Sequence, residues 1–272
     1  MKKITSIFAV LLALVLTACS QKEGANTVSV GTISGPETQL MQVAKVVAKN
    51  RFNLNVKIIT FSDYTLPNEA LNDGSIDANA FQHLPFLNAQ VKQYGYDIIP
   101  IAKTFLYPMA LYSKKIKSLS QLKSGSKVAI PNDPSNEARA LLLLQKAKLI
   151  SLKSHITMNA TPVDVLNNPK HLQFVELDAA ELPRSLSDVA LAAINTNYAI
   201  PAGLSPSKNS LFVESMDSPY VNVIAIRSNE KDSKKIKEFV KAYQSLPVKA
   251  EAKKLFGDGA IAGWKEDSAY AK

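Results

Sequence analysis

The chain has 272 residues, a formal net charge of +9 at pH 7 and a single cysteine. Its positive charges are mostly lysines scattered along the sequence. They lack the arginine-rich stripe and interleaved aromatic residues of nucleic-acid-binding proteins, so we interpret them as solvated surface charge. The single cysteine excludes a disulfide within the chain.

The N-terminus has the pattern of an export signal. Two lysines precede a mostly apolar run at residues 7–16, which is too short to span a bilayer. The run leads into LTAC, a sequence similar to the lipobox of bacterial lipoproteins, and its last residue is Cys19. A buried structural cysteine is the alternative, but the preceding signal argues against it. We predict a signal peptide at 1–18, lipidation of Cys19, and a linker at 19–27 that tethers the remaining chain to a membrane.

After the linker, strand-like and helix-like patterns alternate. Strands are predicted at 27–33, 54–61, 76–81 and 97–113. Helices are predicted from Ser34 or Gly35 onward, with Pro36 in the first turn, and at 66–74 and 84–94. Pro85 at the start and Gly95 after the end favour the last of these helices.

The central and C-terminal parts continue the alternation. Further strands are predicted at 127–133, 173–178 and 218–228, and a buried strand followed by a polar turn at 189–200. Further helices are predicted at 118–125, 135–150, 179–188, 234–245 and 248–257. Ser135 is the predicted N-cap of the strongest helix, which is rich in leucine.

This alternation predicts an α/β fold with open sheets and helices on both faces. Two apolar extended stretches, MALYS and VNVIAIR, bracket the central block, which is the pattern of two lobes joined by two crossing segments. We predict that residues 28–113 and 219–272 form lobe 1 and that residues 114–218 form lobe 2. A ligand cleft is expected between them.

The sequence contains none of the common catalytic or metal-binding motifs. It has no P-loop, no glycine fingerprint after the first strand, and no HExxH, CxxC or GxSxG. His83, His155 and His171 lack the spacing of a metal site, and no second cysteine supports one. We therefore predict no cofactor, no metal site and no enzymatic activity.

Three polar residues are candidates for a binding cleft because they occur at strand ends or helix starts. Arg139 lies in the first turns of the helix at 135–150, where it is either solvent-facing or a clamp for a carboxylate. Asn195 follows an apolar strand and is either a turn-former or a cleft-facing amide. Asn222 interrupts the apolar stretch YVNVIAI, which indicates a bulge, an edge position or an amide facing the cleft.

The stretch DANAFQHLPFL at 77–87 places His83 among aromatic residues, directly before a helix start. The residues alone leave four roles open for this histidine: a core residue at a turn, a metal ligand, a catalytic base, or part of a pocket wall.

Long segments of the chain resemble one known family. They are FSDYTLPNEAL (61–71), IDANAFQHLPFL (76–87), LKSGSKVAIPNDPSNEARALLLLQ (122–145), ALAAINTNYAI (190–200) and SPYVNVIAIR (218–227). They closely resemble the methionine-binding lipoproteins of the NlpA/MetQ family, which are substrate-binding components of bacterial ABC importers. The resemblance covers essentially the whole chain after the signal. It implies a two-lobed periplasmic-binding-protein fold of type II, with two crossover strands, that closes on L-methionine or a close relative.

The resemblance also implies roles for individual residues. Arg139 would pair with the ligand carboxylate, and Asn195 and Asn222 would hydrogen-bond the amino-acid head group. The pocket for the thioether side chain would be lined by Tyr64, Phe81, His83 and Phe86. Phe86 occupies a place where the family commonly has tyrosine, so an apolar wall is expected there without that hydroxyl. Lys148 replaces a frequent glycine, which we interpret as a surface change near a helix end.

The function implied is a monomeric, lipid-anchored receptor in the cell envelope, facing the periplasm or the cell exterior. It would deliver its ligand to a complex of ABC permease and ATPase. Three alternatives are kept: a binding protein for D-methionine or a Gly-Met dipeptide, a periplasmic enzyme without a recognisable motif, and a surface lipoprotein used for adhesion.

Overall fold

A computed structural model describes residues 26–155 and 158–265. The predicted signal peptide and Cys19 lie outside these residues. Within them, no helix combines the length and the apolar character needed to cross a membrane.

The described residues form strands and helices that alternate along most of the chain. The strands are β1 (Thr27–Ile33), β2 (Asn55–Phe61), β3 (Ala78–His83), β4 (Ile98–Leu106), β5 (Ala110–Tyr112), β6 (Lys127–Pro131), β7 (Ser151–Leu152), β8 (Val165–Asn167), β9 (Gln173–Leu177), β10 (Leu191–Ile194), β11 (Phe212–Val213), β12 (Val221–Arg227) and β13 (Ile261–Ala262). The helices are α1 (Pro36–Phe52), α2 (Pro67–Asn72), α3 (Leu84–Tyr94), α4 (Pro134–Lys146), α5 (Leu182–Ser185), α6 (Thr196–Ala199), α7 (Lys234–Tyr243) and α8 (Leu246–Phe256).

The first lobe is built on a six-stranded sheet in the order β13-β4-β12-β3-β1-β2. Its strand β12 shows why both faces are covered. Ile224 and Ile226 point into a core shared with α1, α7 and α8. Val223 and Ala225 point to the opposite face, into a core shared with α2 and α3. Because successive side chains of a strand point to opposite faces, this continuous apolar run requires helices on both sides of the sheet.

The second lobe repeats this arrangement on a five-stranded sheet in the order β11-β5-β10-β6-β9. In β10, Leu191 and Ala193 pack in a core with α4. Ala192 and Ile194 pack on the other face with α5 and α6. The predicted alternation of strands and helices around open sheets is therefore confirmed in both lobes.

The chain passes between the two sheets twice. It leaves the first sheet after β4 and enters the second at β5, and it returns between β11 and β12. β5 (Ala110–Tyr112) is hydrogen-bonded to β10 and β11 in the second sheet. The prediction from the sequence placed residues up to 113 in lobe 1. The boundaries of the two lobes in the chain stay a prediction.

Several predicted elements differ from those observed, for local physical reasons. The helix predicted at 135–150 begins one residue earlier, because the Asp133 carboxylate caps it by accepting the Asn136 N–H and Pro134 occupies the first turn. The polar helix predicted at 118–125 is a single 3-10 turn, Leu119–Gln121, and none of those three residues is buried. Leu119 is half-buried and packs against the core of the second lobe. Packing supplies most of the stability of a helix, and this contact is too little to extend the turn into one.

Lys148 lies just beyond the end of α4, is exposed, and has a φ of 60°. This left-handed conformation suits glycine, the residue that the resemblance implies at this position. The predicted surface change near a helix end agrees with this position.

Candidate functional site

A small cavity lies between the two sheets and is lined by residues of both lobes. Clefts between lobes are common places for small-molecule sites. The residues that line the cavity are Tyr64, Phe81, Gln82, His83, Phe86, Tyr107, Asn136, Arg139, Asn195, Thr196 and Asn222. All seven ligand-binding residues predicted from the sequence are in this group. Several stand at or just after the carboxyl ends of parallel strands, where open α/β sheets bind ligands.

His83 is the last residue of β3 and the N-cap of α3. Its Nδ1 accepts the backbone N–H of Phe86 at 3.1 Å, so Nε2 carries the proton and donates to Asn136 Oδ1 at 3.2 Å. Burial, aided by the nearby Arg139 guanidinium, lowers the pKa of His83 to about 3. The imidazole is therefore neutral, and both of its nitrogens are engaged by protein groups. This arrangement favours the pocket-wall role over a metal ligand or a catalytic base.

Asn136 is the centre of the polar network, and the sequence reasoning did not single it out. Its Oδ1 accepts hydrogen bonds from His83 Nε2 in the first lobe and from Asn195 Nδ2, at 2.8 Å, in the second. Its Nδ2 donates to both oxygens of Asp133 at 3.0 and 2.9 Å. Its position three residues before Arg139 puts both side chains on one face of α4, which is the signal that could have found it.

Asn195 stands directly after β10 and is buried. Because its Nδ2 donates to Asn136, the orientation of the amide is fixed. Its Oδ1 is buried and has no hydrogen-bond partner among the described residues. Since buried polar atoms are rarely left unsatisfied, this oxygen is an acceptor available to a donor in the cavity.

Asn222 combines two of the alternatives left open by the sequence. The pairing of β12 with β4 shifts register between Val221 and Val223, so Asn222 lies at a bulge. It also lines the cavity. Its Nδ2 donates to the Phe81 carbonyl at 3.1 Å and to Glu37 Oε1 at 3.4 Å. The amide oxygen is the group left for the cavity.

Arg139 is 3 % exposed, which removes the solvent-facing alternative. Its Nε and Nη2 donate to the Glu214 carboxylate at 3.1 and 2.5 Å, and Nη2 also donates to the Tyr107 carbonyl at 2.8 Å. The guanidinium carbon lies 4.4 Å from the centre of the Tyr220 ring. These contacts fix the edge of the guanidinium group that carries Nε and Nη2. Nη1 has no hydrogen-bond partner among the described residues. Nη1 is thus the donor that remains for a ligand.

The other end of the cavity is aromatic. Tyr64, Phe81 and Phe86 form a cluster with ring centroids 5.8 to 5.9 Å apart. The Tyr64 hydroxyl donates to Asn197 Oδ1 at 2.7 Å and so connects the first lobe to the second. Because this hydroxyl is occupied, the three rings present mainly apolar surface.

The cavity therefore has two chemically different ends. One offers a cationic donor and two amide oxygens, which match a carboxylate and an ammonium group. The other offers aromatic rings, which suit a short apolar side chain or a thioether. Within the residues described, no group of three or more His, Cys, Asp or Glu side chains could hold a metal ion.

Comparisons with known proteins show which family the chain is similar to. The model of the NlpA lipoprotein family matches residues 28–264. A protein of Salmonella typhi named D-methionine-binding lipoprotein MetQ is 52% identical over 266 residues, covering 97% of this chain and 98% of the relative.

Two solved structures extend the comparison. A periplasmic substrate-binding protein of an ABC transporter from Coxiella burnetii has 64% identity and a TM-score of 0.84, covering 87% of this chain and 100% of its own. A nutrient-binding protein from Burkholderia cenocepacia, solved bound to methionine, has 51% identity and a TM-score of 0.86, with coverage of 87% and 100%. The predicted two-lobed periplasmic-binding-protein fold of type II is confirmed, and the chain belongs to the NlpA lipoprotein family.

Proposed function

We propose that this chain is the substrate-binding lipoprotein of an ABC importer and that it captures L-methionine in the cavity between its lobes. The observation that carries the proposal is the buried Asn195 Oδ1, which has no partner among the described residues and lies in the same cavity as the remaining donor of Arg139. An amino-acid head group supplies the missing partners for both.

In the proposed complex, Arg139 Nη1 donates to the ligand carboxylate. The ammonium group donates to Asn195 Oδ1 and to the amide oxygen of Asn222. The pair formed by Arg139 and Glu214 has little net charge, which suits a ligand that is itself a zwitterion. Closure removes the head group from water, so each of its charged atoms needs such a partner.

The thioether of methionine would lie among Tyr64, Phe81 and Phe86. Contacts between sulfur and an aromatic ring contribute about 0.3 to 1.5 kcal/mol each. His83 closes this side as a neutral ring held by Asn136. The ligand-binding roles of these residues remain part of the proposal.

D-methionine is the second candidate, because the relative from Salmonella typhi is named for it. L- and D-methionine carry the same carboxylate, ammonium group and side chain. They differ in the positions of the ammonium group and the hydrogen on the α-carbon, so they differ in the acceptor that the ammonium group reaches. A Gly-Met dipeptide would place an additional residue at the polar end, where Arg139, Asn195 and Asn222 lie close together.

The remaining parts of the proposal concern the place of the protein in the cell. We infer that Cys19 carries the lipid anchor, that the body faces the periplasm or the cell exterior, and that a monomer delivers methionine unchanged to the permease and ATPase complex. The family membership supports a cell-envelope location.

Thermal unfolding tests the proposal after bound ligand has been removed by partial unfolding and dialysis. L-methionine at about 1,000 times its dissociation constant adds about 4 kcal/mol of stability, which raises the melting temperature by roughly 10 °C in a domain of this size. D-methionine and Gly-Met are tested in parallel, and native mass spectrometry of freshly purified protein identifies any retained ligand. An unchanged melting temperature with millimolar L-methionine would contradict the proposal.

A further inference from the structure

Glu37 is a buried carboxyl group directly behind the proposed binding site. It lies in the first turn of α1, which Gly35 starts with a φ of 122°. Its side chain is 3 % exposed. Oε1 accepts a hydrogen bond from Asn222 Nδ2 at 3.4 Å, while Oε2 is buried without a partner among the described residues.

Among the described residues, the titratable neighbours of Glu37 include four tyrosines. Their hydroxyl groups come from four different segments: Tyr64 after β2, Tyr107 after β4, Tyr198 in α6 and Tyr243 in α7. Burial raises the pKa of each of these hydroxyl groups, so all four stay neutral near pH 7. Burial also raises the pKa of Glu37 to about 8, against a smaller lowering by the hydrogen bond from Asn222. Glu37 is therefore the group of this cluster that titrates near neutrality.

We propose that Glu37 is a positioning residue that turns the amide oxygen of Asn222 toward the cavity, and that it releases a proton to solvent when an ammonium group binds there. This inference rests on the proposed function, because the ammonium group of the ligand supplies the positive charge. The hydrogen bond from Nδ2 to Glu37 sets the orientation of the amide. The ammonium group then approaches the opposite side of the same amide.

The sign of the effect follows from the charges. Without ligand, the carboxyl group is buried and has no ion pair among the described residues, so its neutral form is favoured at pH 7. A bound ammonium group one amide away stabilises the ionised form across a medium of low dielectric. The pKa of Glu37 therefore falls when the ligand binds, and its carboxyl group releases a proton. Raising the pH from 6 to 8 therefore strengthens binding, because it favours the ionised form that the complex prefers.

Isothermal titration calorimetry with L-methionine tests this coupling. Titrations at pH 7 in phosphate and in Tris, whose ionisation enthalpies differ, give the number of protons released per ligand bound. We expect release of between about 0.3 and 0.9 protons from the wild-type chain, since a group of pKa about 8 is mostly protonated at pH 7. Glu37→Gln is the matched variant, because its amide oxygen still accepts from Asn222 but does not titrate. We expect a proton count near zero for it.

The outcomes separate the two proposals. Binding with equal heats in both buffers, or an equal proton count in Glu37→Gln, overturns the role of Glu37 and leaves the proposed function standing. Absence of binding heat in both buffers, after removal of retained ligand, overturns the proposed function and this inference with it. If Glu37→Gln does not fold, the wild-type affinity from pH 6 to pH 8 decides: we expect about a tenfold tightening, and a flat profile overturns the inference.

Discussion

Replacing Arg139 with alanine is expected to weaken L-methionine binding by roughly 100- to 1,000-fold, or about 3–4 kcal/mol. The ligand carboxylate would then be buried without a charged donor. The groups that remain at the polar end of the cavity are amides and the neutral ring of His83. Calorimetric titration of the ligand-free protein measures the loss directly.

The same substitution should also lower the free energy of unfolding by about 3–5 kcal/mol, because Glu214 would be left as a buried charge without its partner. Stability and binding therefore need to be separated. The double variant Arg139→Met with Glu214→Gln removes both charges and keeps similar volumes, so it should recover most of the stability in urea unfolding. Its methionine binding should remain weak. Near-wild-type affinity in this folded double variant would show that Arg139 serves the fold and not the ligand.

Asn136→Ala is expected to produce the second large effect, a 10- to 100-fold loss of affinity with a loss of about 2–4 kcal/mol in stability. The substitution leaves His83 Nε2 and Asn195 Nδ2 without their shared acceptor, although both groups are buried. The amide of Asn195 is then free to rotate, and its oxygen no longer faces the cavity in a fixed orientation. Titration calorimetry gives the affinity, and urea unfolding gives the stability.

Ser135→Ala is the matched control, because Ser135 lies in the same helical turn and bonds only to Asp133 with its side chain. Its affinity for methionine should stay within about threefold of the wild type, because Ser135 does not line the cavity and its hydroxyl bonds only to Asp133. If Asn136→Ala bound methionine as tightly as Ser135→Ala, Asn136 would not organise the site.

Local sequence patterns were sufficient for much of the fold. The continuous apolar run of β12 and the proline and glycine that bound α3 are short-range signals, and α3 was predicted with the observed bounds of Leu84–Tyr94. The helices predicted at 118–125 and 179–188 were too long, since the structure has Leu119–Gln121 and Leu182–Ser185 there. Their lengths depend on which neighbours they pack against, and a single sequence does not contain that information.

The residues of the site also divide into those with a local sequence signal and those without one. Asn222 was noticeable because a polar residue interrupts an apolar strand, and Arg139 because it lies in the first turns of a leucine-rich helix. Glu214 gave no comparable signal, since it lies 75 residues after its partner Arg139 in an irregular stretch. Glu37 lies in the first turn of α1, where an acidic side chain is common in any helix and indicates no binding role. Its burial behind Asn222 follows from the pairing of β12 with β3, which brings distant parts of the chain together.

The central claim is that the cavity recognises the zwitterionic head group of methionine, and one set of calorimetric titrations tests it most directly. Ligand-free protein is titrated with L-methionine, with 3-(methylthio)propylamine, which lacks the carboxylate, and with 4-(methylthio)butyrate, which lacks the ammonium group. We expect L-methionine to bind and each analogue to bind at least about 100-fold more weakly, because each leaves buried polar groups of the protein unpaired. If the analogue without a carboxylate bound as tightly as L-methionine, the role assigned to Arg139 and the central claim would both be wrong.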